Sequence, residues 1–423
     1  MERDHKNIAF VLGGSINSLG VVKALGRKRV PTVIVYEKDR IISKYSRYAK
    51  LLLSPDPVKE TESYIEFLIQ TQKKYQLPGV LLPTSDVTVM AVSKYREELS
   101  SYFKFIIPPA SVIEKITSKE GFRQLAYVHN LPIPRTVSVD SVSALEEVME
   151  QLDYPCALKP YYSHFWRTSA FREKFGRMQI YIVQNPSELL DGYRKFAEYD
   201  PRMVIQDYIQ GNDDCEYSLH TYTSRDGNHM INFLAHKLRL DPIHSGSAAF
   251  IQTAHNPEIV KLGNDFLKAL EYRGMSSFQF KWDTVRKKFF AIELNPRYSL
   301  WNFLEPSCGI NYPYMNYLDS LGLSFDIPPD YEDGVKWFSI ERDISAFQAY
   351  RAEGSLTFGA WIKSYRGKKY CAEFSWDDPL PFLYFAWEKM KTLPFSLGRK
   401  LKFRLKRKNY RKQTQAAAVI EDK

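Results

Sequence analysis

Two neighbouring apolar stretches carry oxygen-bearing side chains at alternating positions. Gln279 stands in the first stretch, Glu293 and Asn295 stand in the second, and Arg297 follows two residues later. The polar segment 282–288 between the stretches predicts a β-hairpin. Because the side chains of a strand alternate between its faces, the three oxygen donors can share one face. A carboxylate and two amides suit Mg²⁺ that keeps water and phosphate ligands, so we expect a magnesium–nucleotide site. An ordinary amphipathic hairpin is the alternative.

The N-terminal part of the chain predicts a βαβ unit. An apolar strand at 8–12 leads into a glycine turn with Gly14 and Ser15, then a helix and a second strand at 32–36. The turn lacks a complete GxGxxG pattern, so a dinucleotide site is not favoured, even with Glu37 at the end of the second strand.

A second predicted buried strand ends in Thr84, Ser85 and Asp86. Open parallel sheets bind ligands at the carboxyl ends of their strands. These three residues are therefore candidate substrate contacts, and the family resemblance described below adds Gly14 and Ser15 to them. Capping of the following helix would explain the same residue types equally well.

Further motifs follow in a fixed order. Lys119 lies in a helix predicted for 110–130, and Lys159 ends a strand with the pattern P-x-x-x-K-P. The segment 206–214 has the sequence QDYIQGNDD, and residues 293–297 have the order E-x-N-x-R. From about Gly13 to Arg297 this ordered set resembles the ATP-grasp superfamily, and within it the carboxylate–amine ligases of the D-aspartate ligase type.

The resemblance implies roles for individual residues. The phosphates of ATP would be held by two lysines, Lys119 and Lys159. The adenine would be held by the hinge residues Gln206, Asp207, Tyr208 and Ile209, and the ribose by one of three acids, Asp213, Asp214 or Glu216. Mg²⁺ would be held by Gln279, Glu293 and Asn295. Catalytic cations would be Lys237, Arg239 and Arg297, with Ser245 and Ser247 in the acceptor pocket. Most members carry an acid where Gln279 stands, but carbamoyl phosphate synthetase is similar in using Gln.

The expected fold class is α/β, with α+β lobes. The expected domains are a Rossmann-like domain at 1–109, an ATP-grasp domain at 110–325 with its small lobe at about 130–210, a C-terminal extension of unknown role at 326–388 and a basic tail at 389–423. Segment 161–178 is expected to form an irregular loop that covers the phosphates.

The amino-acid composition limits the classes of protein to which the chain can belong. The chain has 423 residues, of which 44% are hydrophobic, which is enough for several cored domains. There is no apolar run of about 18 residues and no signal peptide, so we expect a cytoplasmic location. Four widely spaced cysteines do not predict a disulfide framework or a zinc site.

The net charge of +10 belongs to the tail, because eleven Lys or Arg and no acid lie between Lys389 and Lys412. Leu and Phe residues lie between these cations, and such a mixture suits contact with the anionic inner face of the membrane. A solvated tail is the alternative, and nucleic acid is the least favoured partner.

The resemblance implies a reaction that joins an amino acid or other small carboxylate, such as D-aspartate, to an amine through an acyl phosphate, with ATP and Mg²⁺ as cofactors. The amine acceptor would be a lipid-linked or nucleotide-linked cell-wall precursor, and a homodimer is one predicted assembly. Two alternatives remain: a nucleotide-binding regulatory or scaffold protein whose metal site is weakened by Gln279, and a dinucleotide-dependent oxidoreductase.

Overall fold

The first layer of the protein is a five-stranded parallel sheet. The computed structural model describes residues 6–37, 41–162, 165–176, 178 and 180–391. The strand order is β3-β2-β1-β4-β5. The strands are β1 (Ala9–Leu12), β2 (Thr32–Tyr36), β3 (Lys50–Leu53), β4 (Gly79–Pro83) and β5 (Phe103–Lys104), and the helices are α1 (Ile16–Gly26), α2 (Thr61–Gln72), α3 (Asp86–Lys94) and α4 (Arg96–Ser100). The strand order reverses between β1 and β4, which is where such sheets bind ligands.

The helical stretch predicted for 110–130 consists of two helices. They are α5 (Ala110–Ile116) and α6 (Lys119–Val128). Ser118 has an extended backbone, with φ −106° and ψ 145°, and its side chain accepts a hydrogen bond from the N–H of Gly121 at 3.0 Å. This N-cap starts a new helix and places Lys119 in its first turn.

The second layer is an antiparallel sheet of order β6-β9-β7-β8. Its strands are β6 (Thr136–Val139), β7 (Cys156–Pro160), β8 (Tyr181–Val183) and β9 (Met203–Asp207), and its helices are α7 (Val142–Glu146), α8 (Ser169–Phe175) and α9 (Pro186–Ala197). The core between sheet and helices contains Leu158, Leu189, Phe196 and Ile205. This layer carries Lys159 at the end of β7 and Gln206 near the end of β9.

The expectation of an irregular loop over 161–178 is wrong where the structure describes it. Helix α8 occupies part of this segment, and Thr168 caps it by accepting from the N–H of Phe171 at 3.3 Å. Phe171 is fully buried, and its ring stacks on Trp166 with centroids 5.1 Å apart. Burial of these rings fixes the helix. Ser163 and Arg177, which belong to the same segment, lie outside the described residues.

The third layer is a seven-stranded sheet of order β14-β13-β10-β11-β12-β15-β16. Its strands are β10 (Glu216–Thr223), β11 (Met230–Asp241), β12 (Ser247–Thr253), β13 (Gly274–Asp283), β14 (Lys288–Asn295), β15 (Lys336–Phe338) and β16 (Lys369–Cys371). The helices are α10 (Pro257–Ala269), α11 (Leu304–Ser307), α12 (Tyr312–Ser320), α13 (Ile340–Ala352), α14 (Phe358–Ser364) and α15 (380–391). The mixed α/β fold class is confirmed.

Segment 326–388 contributes to this third sheet. Strand β15 pairs with β12 through Phe250 and Phe338, and β16 extends the same sheet. The predicted domain boundaries are untested and stay predictions. Within the described ranges, no helix is both long and apolar enough to cross a membrane.

Candidate active site

The hairpin formed by β13 and β14 brings the predicted metal ligands onto one face. Gln279 lies directly opposite Glu293 in the antiparallel register, and Ser277 lies opposite Asn295. The register shifts immediately after Gln279, and such bulges are common beside active sites. The register therefore sets Gln279, Glu293 and Asn295 next to one another, as the alternation of the sequence predicts.

The side-chain oxygen of Gln279 is buried and has no hydrogen-bond partner among the described residues. Its amide nitrogen donates to the hydroxyls of Ser218 at 2.8 Å and Ser277 at 3.1 Å. These two contacts hold the amide of a residue that lies directly opposite Glu293. An unsatisfied buried acceptor is costly, and a bound cation would satisfy it, so the donor set fits Mg²⁺.

A continuous chain of polar contacts links the hairpin to the first layer. Asn295 Nδ2 donates to Glu293 Oε1 at 3.0 Å, and Arg297 Nη2 donates to Asn295 Oδ1 at 3.2 Å. Arg297 also holds Asp86 with two bonds, Nε to Oδ1 at 2.7 Å and Nη2 to Oδ2 at 3.2 Å. Burial lowers the pKa of Arg297, but Asp86 and Glu293 outweigh it and raise that pKa above its usual value. The guanidinium is thus fixed beside the metal ligands.

The predicted substrate contacts of the first layer lie at its strand-order reversal, close to Arg297. Asn17 Nδ2 donates to the carbonyls of Thr84 at 3.2 Å and Tyr298 at 3.1 Å, which joins the carboxyl end of β4 to the segment after β14. Among the five candidates in this layer, Asp86 is the one whose side chain contacts the site residue Arg297. It is therefore the candidate best placed to contact a substrate at this crevice.

Three of the other candidates have hydroxyls with structural partners. Ser15 caps α1, and Ser85 caps α3 in a capping box. Thr84 Oγ1 donates to the carbonyl of Leu12 at 2.8 Å. Gly14 sits so close to Ile41 that an added Cβ would lie 2.3 Å from its Cγ2. The capping alternative thus explains Ser15 and Ser85.

Two predicted phosphate lysines meet at the end of β7. The Nζ of Lys159 donates to Oε1 of Gln206, whose own amide nitrogen donates to Thr136 Oγ1 at 3.1 Å. The Nζ of Lys119 donates to the carbonyl of Pro160 at 2.7 Å. Burial lowers the pKa of Lys159 to about 8, although Glu293 and Glu216 act in the opposite direction. The influence of Glu293 places this ammonium within electrostatic reach of the metal ligands.

The cleft contains a further cation, Lys281, that sequence reasoning missed. Lys281 lies opposite Glu216 in the pairing of β13 with β10, and its charge lowers the pKa of Lys159. Lys237 forms a 2.9 Å ion pair with Glu216, and both side chains are nearly buried. The signal was present in the sequence, because Lys281 continues the alternation of Ser277 and Gln279 on the same face.

Comparisons with known proteins find relatives in sequence and in fold. The D-aspartate ligase of Enterococcus faecium is 26% identical over 324 residues, which cover 72% of this chain and 74% of that protein. The carbamoyl phosphate synthase large chain of Sulfolobus acidocaldarius is 24% identical over 321 residues, 72% of this chain but 28% of that protein. The ADP complex of PurK, an N5-carboxyaminoimidazole ribonucleotide synthetase, superposes with a TM-score of 0.61 at 11% identity, covering 78% of this chain and 80% of that one.

The chain is a relative of ATP-grasp enzymes, which are ATP-dependent ligases. No protein-family model matches it. Carboxylate–amine ligases are among these relatives.

The three acids predicted to bind the ribose differ in their surroundings. Asp213 is buried and accepts hydrogen bonds from the Tyr350 hydroxyl and, at 2.8 Å, from the N–H of His244. Asp214 is exposed. Glu216 lies in the cleft, paired with Lys237 and within electrostatic reach of Lys159. Glu216 is therefore the acid best placed to contact a nucleotide.

Two of the residues predicted to hold the adenine already have hydrogen-bond partners. The Tyr208 N–H donates to the carbonyl of Pro155 at 3.3 Å, so this donor is already used. The carboxylate of Asp207 accepts from Arg286 Nη2 at 3.2 Å, and Ile209 is buried. Burial raises the pKa of Asp207 above its usual value.

Arg239 lies in a buried ion pair rather than beside Lys237. Its Nε and Nη2 donate to the two oxygens of Asp343 at 2.6 and 3.1 Å. The pairing of β11 with β12 shifts register between Lys237 and Arg239. Ser245 and Ser247 lie in the turn before β12 and at its first residue.

Proposed function

We propose that the chain activates a carboxylate with ATP and transfers the acyl group to an amine. The observation that carries this proposal is the arrangement on the β13–β14 face. The unsatisfied oxygen of Gln279 lies opposite Glu293, and Glu293 is connected through Asn295 to the guanidinium of Arg297. Lysines face this group from β7 and β13. Such an arrangement suits a metal-bound triphosphate beside a reacting carboxylate.

In the proposed reaction a carboxylate oxygen attacks the γ-phosphorus, ADP leaves and an acyl phosphate forms. The amine then attacks the acyl carbon, phosphate leaves and the nitrogen loses a proton. Mg²⁺, held by Gln279, Glu293 and Asn295, would neutralise phosphate charge. Lys159 would hold phosphate oxygens, and Arg297 would stabilise the charge that develops on the transferred phosphoryl group.

Positioning supplies most of the rate in such a scheme. Asp86 clamps the guanidinium of Arg297 from the first layer, so the arginine is oriented before substrate arrives. The same contact brings the crevice between β1 and β4 next to the phosphoryl site. The carboxylate substrate would bind in that crevice, and the amine would approach from the turn that contains Ser245.

We propose D-aspartate, or a similar small amino acid, as the carboxylate substrate. The support is the 26% identity with a protein named D-aspartate ligase. A cell-wall precursor, lipid-linked or nucleotide-linked, would supply the amine. The cytoplasmic location, the contact of the basic tail with the inner face of the membrane and the homodimer belong to the same proposal. Residues 392–423 of that tail lie outside the described residues.

The test is ADP release measured over a panel of D- and L-amino acids, each with and without an amine acceptor. We expect ADP release that depends on one carboxylate and on Mg²⁺. Glu293→Ala should lower it by roughly 100-fold or more, because the metal loses its charged ligand. The matched control is Glu258→Ala in the first turn of α10, which should leave turnover unchanged. Both variants should melt close to the parent.

The panel also tests the regulatory or scaffold alternative. If ATP binds and no carboxylate in the panel causes ADP release, the chain has kept its nucleotide site without the reaction. If Glu293→Ala retains near-normal turnover, the metal assignment is wrong. A mass spectrum of the product under ¹⁸O-labelled carboxylate should show one labelled oxygen in the released phosphate, as an acyl phosphate requires.

A further inference from the structure

Helix α15 (380–391) exposes a stripe of large apolar side chains. Leu380, Leu383, Trp387 and Met390 follow the spacing i, i+3, i+7 and i+10, which places them on one helical face. Their exposed fractions run from 49% for Trp387 to 64% for Met390. Trp376, just before the helix, is 89% exposed. Such a continuous apolar face on the surface marks an interaction site.

Other side chains of α15 attach the helix to the body. The ring of Phe382 packs on Phe374 with centroids 5.4 Å apart, and Tyr384 packs on Tyr45 at 4.8 Å. Lys389 forms a 2.5 Å ion pair with Glu341 of α13. These contacts fix the helix and leave the stripe facing away from the body.

The turn before α15 is clasped to the first layer. Asp377 accepts two hydrogen bonds from Arg27, at 2.7 and 2.9 Å. Asp378 is buried and accepts from the hydroxyl of Ser46 at 2.6 Å and from the N–H of Arg47 at 3.0 Å. The helix is therefore held at both ends, so its apolar stripe has a defined direction.

Charge indicates what the stripe contacts. Lys389 and Lys391 lie at the end of the helix, and the next 21 positions of the sequence, to Lys412, bring the total to eleven cations and no acid. A helix with tryptophan and leucine on one face and cations beside it is typical of segments that lie in the interface of an anionic bilayer. A protein partner would need acidic residues on its own surface to match these cations, and it would not explain why a tryptophan lies next to a long basic sequence.

We propose that α15 is an interfacial membrane anchor. Leu383, Trp387 and Met390 enter the headgroup region of an anionic bilayer, and Lys391, whose ammonium lies over the Trp387 ring, binds a phosphate headgroup. The proposal commits to an anionic lipid surface, and it does not rest on the proposed ligase reaction. The clasp through Asp377 would hold the first layer close to the same surface.

The test uses the full chain and two kinds of vesicle, one of phosphatidylcholine alone and one containing about three parts phosphatidylglycerol to seven parts phosphatidylcholine. The chain should float with the anionic vesicles and not with the neutral ones. The variant Leu383→Glu with Trp387→Glu should lower the bound fraction about tenfold, because two carboxylates enter the apolar face.

The matched control is Val128→Glu with Val285→Glu. Both valines are 72% exposed, they lie on other elements, and the control changes the net charge by the same amount. It should bind like the parent. Thermal melting of both double variants should be close to that of the parent, because the changed side chains are exposed in each.

A second measurement locates the lipid. Brominated acyl chains should quench tryptophan emission of the parent, and Trp387→Phe should remove a clear part of that quenching. The proposal is overturned if the Leu383/Trp387 variant binds as tightly as the parent, because the basic tail alone would then bind lipid. The proposal is also overturned if the parent does not bind vesicles and sedimentation shows a dimer that this variant dissociates, because a second copy would then cover the stripe. It is overturned as well if lipid does not quench Trp387, because the chain's own tail would then cover the stripe.

Discussion

The buried ammonium of Lys159 lowers the free energy of unfolding of the protein. Replacing Lys159 should therefore stabilise the fold and weaken nucleotide binding. Its pKa falls from 10.5 to about 8, mainly by burial. A shift of 2.5 units corresponds to about 3.4 kcal/mol as an upper limit. The side chain keeps some exposure and a bond to Gln206. We therefore expect Lys159→Met to gain about 1 kcal/mol of unfolding free energy at pH 7.

The sign of the pH dependence follows from the same shift. Between about pH 8 and 10.5 the unfolded chain binds a proton at Lys159 that the folded chain has lost, so the parent gains stability as pH rises through this window. The methionine variant lacks this titration. The difference between the two proteins should therefore be largest at pH 7 and should shrink towards pH 10.

Urea unfolding at pH 7 and pH 10 measures the stability, and equilibrium binding of MgATP measures the function. Loss of a charged contact to phosphate should weaken binding by roughly 10- to 100-fold. For the parent, affinity should fall about tenfold between pH 7 and pH 9 as a lysine with a pKa of about 8 loses its proton. Lys261→Met, on the exposed face of α10, is the control and should change neither quantity. A Lys159→Met protein that is destabilised equally at both pH values would refute the argument.

Three further predictions concern other polar groups. Gln279→Glu should lower the Mg²⁺ concentration needed for half-maximal ADP release, because a carboxylate replaces the unsatisfied amide oxygen; an unchanged Mg²⁺ dependence contradicts the metal assignment. Burial raises the pKa of Glu305 and lowers the pKa of its partner His220, so the pair shares one proton. In urea titrations, Glu305→Gln should change the unfolding free energy by less than about 1 kcal/mol, whereas Glu305→Ala should lower it by about 3 kcal/mol. The Arg27 guanidinium holds the pKa of Asp377 well below its usual range, so the ion pair between Arg27 and Asp377 should persist at pH 4. Asp377→Ala should speed limited proteolysis next to α15 at any pH above 4, and equal cleavage rates in the two proteins would contradict the role of this ion pair.

The parts of the site that could be predicted from sequence are those set by strand periodicity. Gln279 and Glu293 face each other because an antiparallel hairpin with a polar turn has a small choice of registers. The break at Ser118 was missed because a serine inside an apolar helical pattern resembles a helical residue until its backbone is seen to be extended. The ion pair of Arg239 with Asp343 could not be predicted from the sequence, because the two residues are 104 positions apart and meet only through tertiary packing.

The cations of the cleft connect stability with ligand binding. Lys159, Lys237 and Lys281 lie around two carboxylates, Glu216 and Glu293, and burial of the first of these lysines lowers its pKa. A triphosphate would bring negative charge to the same place and raise that pKa again, so nucleotide binding should take up a proton near pH 8.5. By linkage, a ligand that binds the folded chain stabilises it more where Lys159 is charged. The rise in melting temperature caused by a saturating nucleotide should therefore be larger at pH 7 than at pH 9.5, and the Lys159→Met chain should lose this difference.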